Sequence, residues 1–303
     1  MRPARPGGQA SLLLQAPAKI NLNLLVGPVG PDGYHPLDSY VVRLLWGDPV
    51  TLHARGDGQI VLECTGSDCG PDEENLAVRA ARLAQQILRP AGLGVTIQLD
   101  KQIPPGMGLG GGSSDAATVL MGLAELWSTS WQADDLESAA VSLGADVPLF
   151  LSPSPAMRMT GRGERLEPVQ IAPLVVLLIL PRLFCSTGAV YREFDSAPAP
   201  QAQQLPAKVL KRRPSFWQSE LVNHLQAPAR AVCPELAQLQ DELQSELPIP
   251  VHMTGSGAGL FCLPKDELQA RKCQTLIAGR ELETVICRTQ QAGQGAKGLH
   301  FFH

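Results

Sequence analysis

Between Gly106 and Gly112 the chain reads Gly-Met-Gly-Leu-Gly-Gly-Gly, preceded by Pro104-Pro105 and followed by Ser113-Ser114-Asp115 and the helix-forming run Ala116 to Trp127. Glycine lacks a Cβ, so such a stretch approaches other groups closely and adopts positive-φ conformations closed to most residues. It is costly inside a regular strand or helix, and so it predicts a loop at a strand-to-helix junction. Free amides at the start of a helix, aligned with its dipole, favour an anion. The segment therefore predicts a phosphate cradle. Two familiar cradles are excluded by context. Gly106-x-Gly108-x-x-Gly111 formally matches the dinucleotide fingerprint, with Asp134 and Asp135 downstream, but two prolines precede it and a helix, Asp134–Leu143, follows where a second parallel strand is required. The other cradle, G-x-x-x-x-G-K-[ST], needs a lysine that this loop lacks.

A chain of 303 residues with 44% apolar composition predicts two lobes, since single cores stop growing at roughly 250–300 residues. A formal net charge of -4 provides no basic field for a polyanion, so nucleic acid is not expected as a partner. The seven cysteines are odd in number, dispersed and without a C-x-x-C pair. They predict neither a disulfide framework nor a zinc site, and fit a reducing, cytoplasmic setting. The basic start is followed only by Leu12 to Leu14, too short for a signal-peptide core. The run Leu174 to Leu180 falls far below the ~20 residues of a membrane span.

Short strands are predicted at Ala18–Leu24, Tyr40–Trp46, Ile60–Cys64 and Gly94–Leu99, with a helix over Asn75–Leu88 whose Leu76, Ala80, Leu83 and Ile87 recur at helical spacing. The break Leu151-Ser-Pro-Ser-Pro155 predicts the lobe boundary, giving lobes at 1–154 and 155–303. Beyond it, strands are predicted at Leu174–Leu180, Val251–Thr254, Leu260–Leu263 and Thr284–Arg288, and the Ala-, Pro- and Gln-rich stretch from Asp195 to Pro206 reads as a flexible surface loop.

Three further segments carry polar groups in suggestive places. Alternation in Ala16 to Leu25 turns Ala18, Ile20, Leu22 and Leu24 to one face and Lys19, Asn21 and Asn23 to the other. That row is either a solvated face or a fixed charge, Lys19, beside a ligand-binding amide, Asn21. The turn Asp32-Gly-Tyr34-His35-Pro36 presents a phenol and an imidazole, either surface decoration or a base-stacking platform. Gly144-Ala-Asp146-Val-Pro-Leu-Phe150 places one carboxylate in apolar surroundings, where capping the next turn is the simpler role. The turn Met253-Thr-Gly255-Ser256-Gly257-Ala-Gly259 either closes over phosphates or makes a tight hairpin.

Taken together and in order, APAKINLNL, DGYHPL, ENLAVRAARL, PGMGLGGGSSDAA, LGADVPLF, GRGERLEPV and MTGSGAGLF resemble the GHMP superfamily of small-molecule kinases. Within it they are similar to the 4-diphosphocytidyl-2-C-methyl-D-erythritol kinases, over about Ala16 to Cys262. The resemblance implies an α+β, two-lobed fold, the first lobe like ribosomal S5 domain 2 and the second ferredoxin-like. It implies transfer of the ATP γ-phosphoryl group to the 2-hydroxyl of a cytidyl-diphospho-polyol in the non-mevalonate route to isoprenoids, with Mg2+ accompanying ATP. Carried over motif by motif, Lys19 and Asp146 match the catalytic pair. Pro104, Gly106, Gly108, Leu109, Gly110, Gly111, Gly112, Ser113 and Ser114 match the phosphate loop, and Asn75 and Lys101 the adenosine side. Asn21, Tyr34, His35, Thr187 and Tyr191 match the cytidine side, Gly255, Ser256 and Gly257 match further substrate contacts, and Ser114 is a possible magnesium ligand. The segment Phe184–Tyr191 follows the family loosely, and Met107 stands where a small residue is common. A monomer or homodimer is expected. The alternatives are another GHMP kinase acting on homoserine, mevalonate or a sugar, which gives no reason for Tyr34-His35, and a non-catalytic nucleotide-binding protein, against which the retention of Lys19 and Asp146 weighs.

Overall fold

The structure, a computed structural model, describes residues 10–201 and 203–293. The reading of the basic start falls largely on 1–9, outside the described residues. Two long antiparallel strands, β1 (Ser11–Val26) and β2 (Leu37–Arg55), form the spine of the first sheet. The ladder is irregular between Pro17 and Lys19 and between Asn21 and Asn23. Such bulges bend a strand and re-aim its side chains. The remaining order is β3 (Ile60–Gly66), β4 (Gly94–Lys101), β2, β5 (Ala156–Gly161) and β6 (Arg165–Pro168). β5 and β6 lie beyond the expected lobe boundary at 154/155, yet β5 pairs with β2 through Leu37↔Gly161 to Val42↔Ala156. The chain changes sheet between Pro168 and Val175; the proline break marks only the turn into β5.

Helices cover one face of this sheet: α1 (Leu76–Leu88), α2 (Gly111–Leu126), α3 (Ala133–Leu143) and the short α4 (Val147–Leu151). α1 begins where the Asn75 side chain accepts a bond from the Ala77 amide at 2.9 Å, and ends at Arg89 in the left-handed region. Its fully buried residues include Ala77, Ala80, Ala81 and Ala84, rotated slightly from the apolar series read in the sequence. Their small side chains let α1 pack closely, and they share a core with Ala116, Ala117, Leu120 and Leu123 of α2 and with Leu52, Ile97 and Leu99 of the sheet.

The second sheet is fully antiparallel, in the order β10 (Glu283–Arg288), β7 (Val175–Leu180), β9 (Leu260–Cys262), β8 (His252–Met253). With it pack α5 (Thr187–Phe194), α6 (Gln226–Val232), α7 (Pro234–Glu246) and α8 (Glu267–Leu276). Its core takes in Ile20, Leu22 and Leu24 of β1 and Val42 and Leu44 of β2. The opposite face of β1 is also covered, and Lys19, Asn21 and Asn23 are each no more than 5% exposed. The polar row is not a solvated face.

Two other expectations are revised. The segment up to Pro206 is tied down at its end, since Gln204 donates to the Asp38 carboxylate at 2.9 Å and accepts from Asn23, and Leu205 carbonyl accepts from the Tyr40 hydroxyl at 2.9 Å. Cys64 and Cys69, read as dispersed, are brought side by side, because the chain leaving β3 turns back and sets their Cα atoms 6.6 Å apart. No helix among the described residues is long and apolar enough to cross a membrane.

Candidate active site

The glycine loop is shaped by contact with a second glycine turn. The Ala258 amide donates to the Gly106 carbonyl at 2.9 Å, and the Thr254 hydroxyl donates to the Gly108 carbonyl at 3.4 Å. A Cβ at Gly108 would sit 2.3 Å from the Thr254 carbonyl oxygen, and one at Gly259 would sit 2.3 Å from the Met107 carbonyl oxygen. Both loops are glycine-rich because their backbones touch. Gly110, at φ +73°, opens α2 and leaves room for the Lys19 stem and the Phe150 ring. The Lys19 amide donates to the Leu109 carbonyl at 2.9 Å, so the bulge in β1 is stitched to the loop it faces.

This loop floors a cavity of about 410 Å³ walled by Asn75, Lys101, Pro104, Gly106, Gly108 to Gly112, Ser113, Asp115, Thr187, Ser256 and Gly257, among others. Ser113 lines it; Ser114 does not, being fully buried with its hydroxyl unpartnered. An orphaned hydroxyl in the first turn of α2 is the observation that fits a magnesium ligand, although no group of three or more His, Cys, Asp or Glu gathers into a metal cluster among the described residues. Thr187 and Ser256, carried over as substrate contacts, hydrogen-bond each other at 2.8 Å on the wall of this cavity, with Gly257 beside them and Gly255 against Gly108. Asn75 is occupied as the α1 cap and donates to the Cys69 carbonyl at 3.2 Å. The Lys101 ammonium is held between two carboxylates, 2.5 Å from Asp48 and 2.7 Å from Asp115.

Lys19 and Asp146 stand beside that loop. The Lys19 ammonium donates to Asn21 Oδ1 at 2.7 Å and lies 3.6 Å from Asp146 Oδ2. The Asn21 side chain in turn donates to the Ser39 hydroxyl at 2.8 Å, which donates to the Asn23 carbonyl at 2.5 Å, so Asn21 orients the lysine. Asp146 precedes α4 but makes no capping bond, and its carboxylate is a third exposed. The simple capping role is therefore not the one it plays. Arg43, buried opposite Lys19 in the β1–β2 ladder, donates to the Phe150 carbonyl at 3.0 Å and anchors the far end of α4. Burial pushes its pKa down to about 10.

On the other side of Asp146 lies an aromatic recess. The His35 and Tyr191 ring centroids are 5.3 Å apart, and Phe194 meets the imidazole edge-on at 5.6 Å. His35 Nδ1 donates to the Gly27 carbonyl at 2.9 Å, and Nε2 lies 3.4 Å from the Asp195 carboxylate. Burial raises the Tyr191 phenol above its usual pKa, and the nearby Asp146 charge adds to the effect. Tyr34 is 57% exposed, with the Arg162 guanidinium 4.5 Å from its ring centroid and Arg162 paired to Asp32. A nucleobase brought to Tyr34 meets one open aromatic face and one cation-covered face.

Sequence reasoning missed Ser39, Arg43, Asp48, Asp115, Thr254 and Asp195. Asp115 adjoins the glycine–serine run, Thr254 adjoins Gly255 and Asp195 closely follows Tyr191, so these three were open to notice; Ser39, Arg43 and Asp48 come in only through sheet pairing and contact between elements.

Family models for the GHMP kinase N-terminal domain and the GHMP kinase C-terminal domain match residues 75–153 and 209–276. The 4-diphosphocytidyl-2-C-methyl-D-erythritol kinase of Chromobacterium violaceum is 40% identical over 87% of this chain and 89% of its own length. The protein of the same name from Salinibacter ruber is 34% identical over 90% of this chain and 97% of its own. The chain belongs to the GHMP kinase family. A crystal structure of a 4-(cytidine 5'-diphospho)-2C-methyl-D-erythritol kinase, 33% identical, superposes on this GHMP kinase with a TM-score of 0.76, covering 92% of this chain and all of that one. The homoserine kinase of Cytophaga hutchinsonii shares the fold at 16% identity, with a TM-score of 0.67. The GHMP fold of this kinase is thus two-lobed and α+β, with the Lys19–Asp146 pair set between the glycine loop and the aromatic recess.

Proposed function

We propose that this chain is a 4-diphosphocytidyl-2-C-methyl-D-erythritol kinase, transferring the ATP γ-phosphoryl group to the substrate 2-hydroxyl in the non-mevalonate pathway of isoprenoid synthesis. The observation that carries this reading is the Lys19–Asp146 pair, 3.6 Å apart, with the glycine-loop cavity to one side and the His35–Tyr191 ring pair near Asp146. The names of the relatives support it.

ATP lies with its phosphates on Gly106 to Gly112 and Ser113, and its adenosine end toward Asn75 and Lys101. The cytidine end lies among Tyr34, His35 and Tyr191, with Asn21 behind the pair and Thr187, Gly255, Ser256 and Gly257 closing over the transferring group. The 2-hydroxyl oxygen attacks the γ-phosphorus, the bond to the β,γ-bridging oxygen breaks, and ADP leaves with that electron pair. Asp146 orients the hydroxyl and takes its proton late, since a carboxylate cannot remove it from a free alcohol beforehand. Lys19 stabilises charge on the moving phosphoryl oxygens. Ser114 would be the protein ligand of a magnesium ion, which when bound would neutralise charge on the phosphates. The enzyme works in the cytoplasm on a small molecule, as a monomer or homodimer, without nucleic acid.

The test is ADP release with magnesium-ATP and, in parallel, cytidyl-diphospho-methylerythritol, homoserine and mevalonate. Turnover with the first alone is expected. Turnover with either of the others overturns the subfamily, and turnover with none overturns the kinase reading.

A further inference from the structure

Asp48 belongs neither to the catalytic pair nor to any motif of the glycine loop, yet it is fully buried directly beneath that loop. Its Oδ1 accepts from the Gln102 amide at 2.6 Å and from the Ile103 amide at 2.7 Å, the last residues before Pro104. Its Oδ2 accepts from the Lys101 ammonium at 2.5 Å, and the same ammonium donates to Asp115 Oδ2, in the second turn of α2, at 2.7 Å. One carboxylate, anchored in β2, thus grips the entrance of the loop directly and its exit through Lys101.

We infer that Asp48 is a positioning residue for nucleotide binding, fixing both ends of the phosphate cradle through the Asp48–Lys101–Asp115 clamp. The inference rests on the reading that the glycine loop holds the nucleotide phosphates. Between the clamped ends runs a segment with Gly106, Gly108 and Gly110 all at positive φ. Ordering backbone costs roughly 1–2 kcal/mol per residue, and glycine loses the most freedom. A loop that must offer converging amides to an anion binds well only if that ordering precedes the ligand. Contact with the Thr254–Gly259 turn supports the middle of the loop, and the clamp supports its ends. Net stability is a poor account of the clamp, because desolvation largely offsets the attraction within a buried ion cluster. This one carries two carboxylates to one ammonium, and burial raises Asp115 to a pKa of about 7.

The experiment is calorimetric MgADP binding, with thermal melting and ATP kinetics, on the full chain and on Asp48→Asn. The variant keeps an oxygen for the two backbone amides but turns an amide N–H toward Lys101. Its dissociation constant for MgADP and its KM for ATP are expected to rise on the order of tenfold, the factor that 1.4 kcal/mol represents. Its kcat at saturating ATP and its KM for the second substrate should stay within about twofold. A lowered melting temperature with unchanged MgADP affinity makes the clamp structural only and overturns the inference. No MgADP binding by the parent chain sinks the nucleotide reading of the loop instead. Should Asp48→Asn not fold, Asp115→Ala and Asp115→Asn decide. The asparagine retains an acceptor for Lys101, so the alanine variant is expected to lose more MgADP affinity; equal losses overturn the inference.

Discussion

Asp146 shows what a single residue can and cannot reveal. An aspartate between a helix and a proline-containing turn most simply caps the turn, and only its neighbours decide otherwise. Its carboxylate makes no capping bond and lies 3.6 Å from an ammonium that Asn21 holds from behind. The geometry suits a group that orients a hydroxyl and then receives its proton. Positioned proton transfer contributes about 10²–10⁴-fold to rate, so Asp146→Asn is expected to lower kcat by about that range. MgADP affinity should stay within about twofold, because the glycine loop and the clamp beneath it are untouched. Steady-state kinetics beside calorimetry check this, and undiminished turnover would move the proton-accepting role elsewhere. Lys19 was visible as a charge on a strand face, whereas the Asn21–Ser39–Asn23 chain that orients it was not, since Ser39 reaches it only through the β1–β2 ladder.

At the scale of elements, the helices and most strands follow from periodicity and punctuation. The α1 start at Asn75 and β7 in an unbroken aliphatic run lie where the sequence sets them, whereas α2 opens at Gly111, inside the glycine run rather than after it. Contacts between elements distant in sequence were not legible. Alternation in β1 showed two faces but could not show that both are buried. Two glycine-rich turns were readable as loops, but their mutual contact was not. That contact predicts a difference between two glycines of one loop. At Gly108, φ is +66° and an added Cβ lies 2.3 Å from the Thr254 carbonyl, whereas at Gly112 it meets only the Leu76 methyl at 3.4 Å. Gly108→Ala should cost about 1–3 kcal/mol, the usual range for overpacking, and raise KM for ATP on the order of tenfold as the cradle is pushed off the second turn. Gly112→Ala should cost less than about 1 kcal/mol. Urea denaturation and ATP titration of the two variants separate them, and equal effects would refute the backbone contact as the reason for glycine at 108.

At the scale of the whole molecule, two lobes of this size would ordinarily unfold in separate steps, as multi-domain chains do. Here the lobes share strands. Leu14 and Ala16 of β1 belong to the core under α1 and α2, while Ile20, Leu22, Leu24 and Val26 belong to the core of the second sheet. β2 divides the same way, with Val41, Val50 and Leu52 in one core and Val42 and Leu44 in the other. Burying one such aliphatic side chain contributes about 1.5–3 kcal/mol. The six that β1 and β2 lend to the second lobe therefore contribute on the order of 10 kcal/mol, as much as the entire stability of a typical domain. Pulling the lobes apart costs about what unfolding one of them does, so no half-unfolded species should be well populated. Trp127 reports on the helical core and Trp217 on the other. In variants whose sole tryptophan is one of these two, with Trp46 and Trp131 replaced as well, the urea midpoints by fluorescence should coincide with each other and with the loss of helical circular dichroism. Midpoints separated by more than the difference the substitutions themselves cause would mean that the lobes unfold independently, and that the first lobe alone holds the Lys19–Asp146 pair.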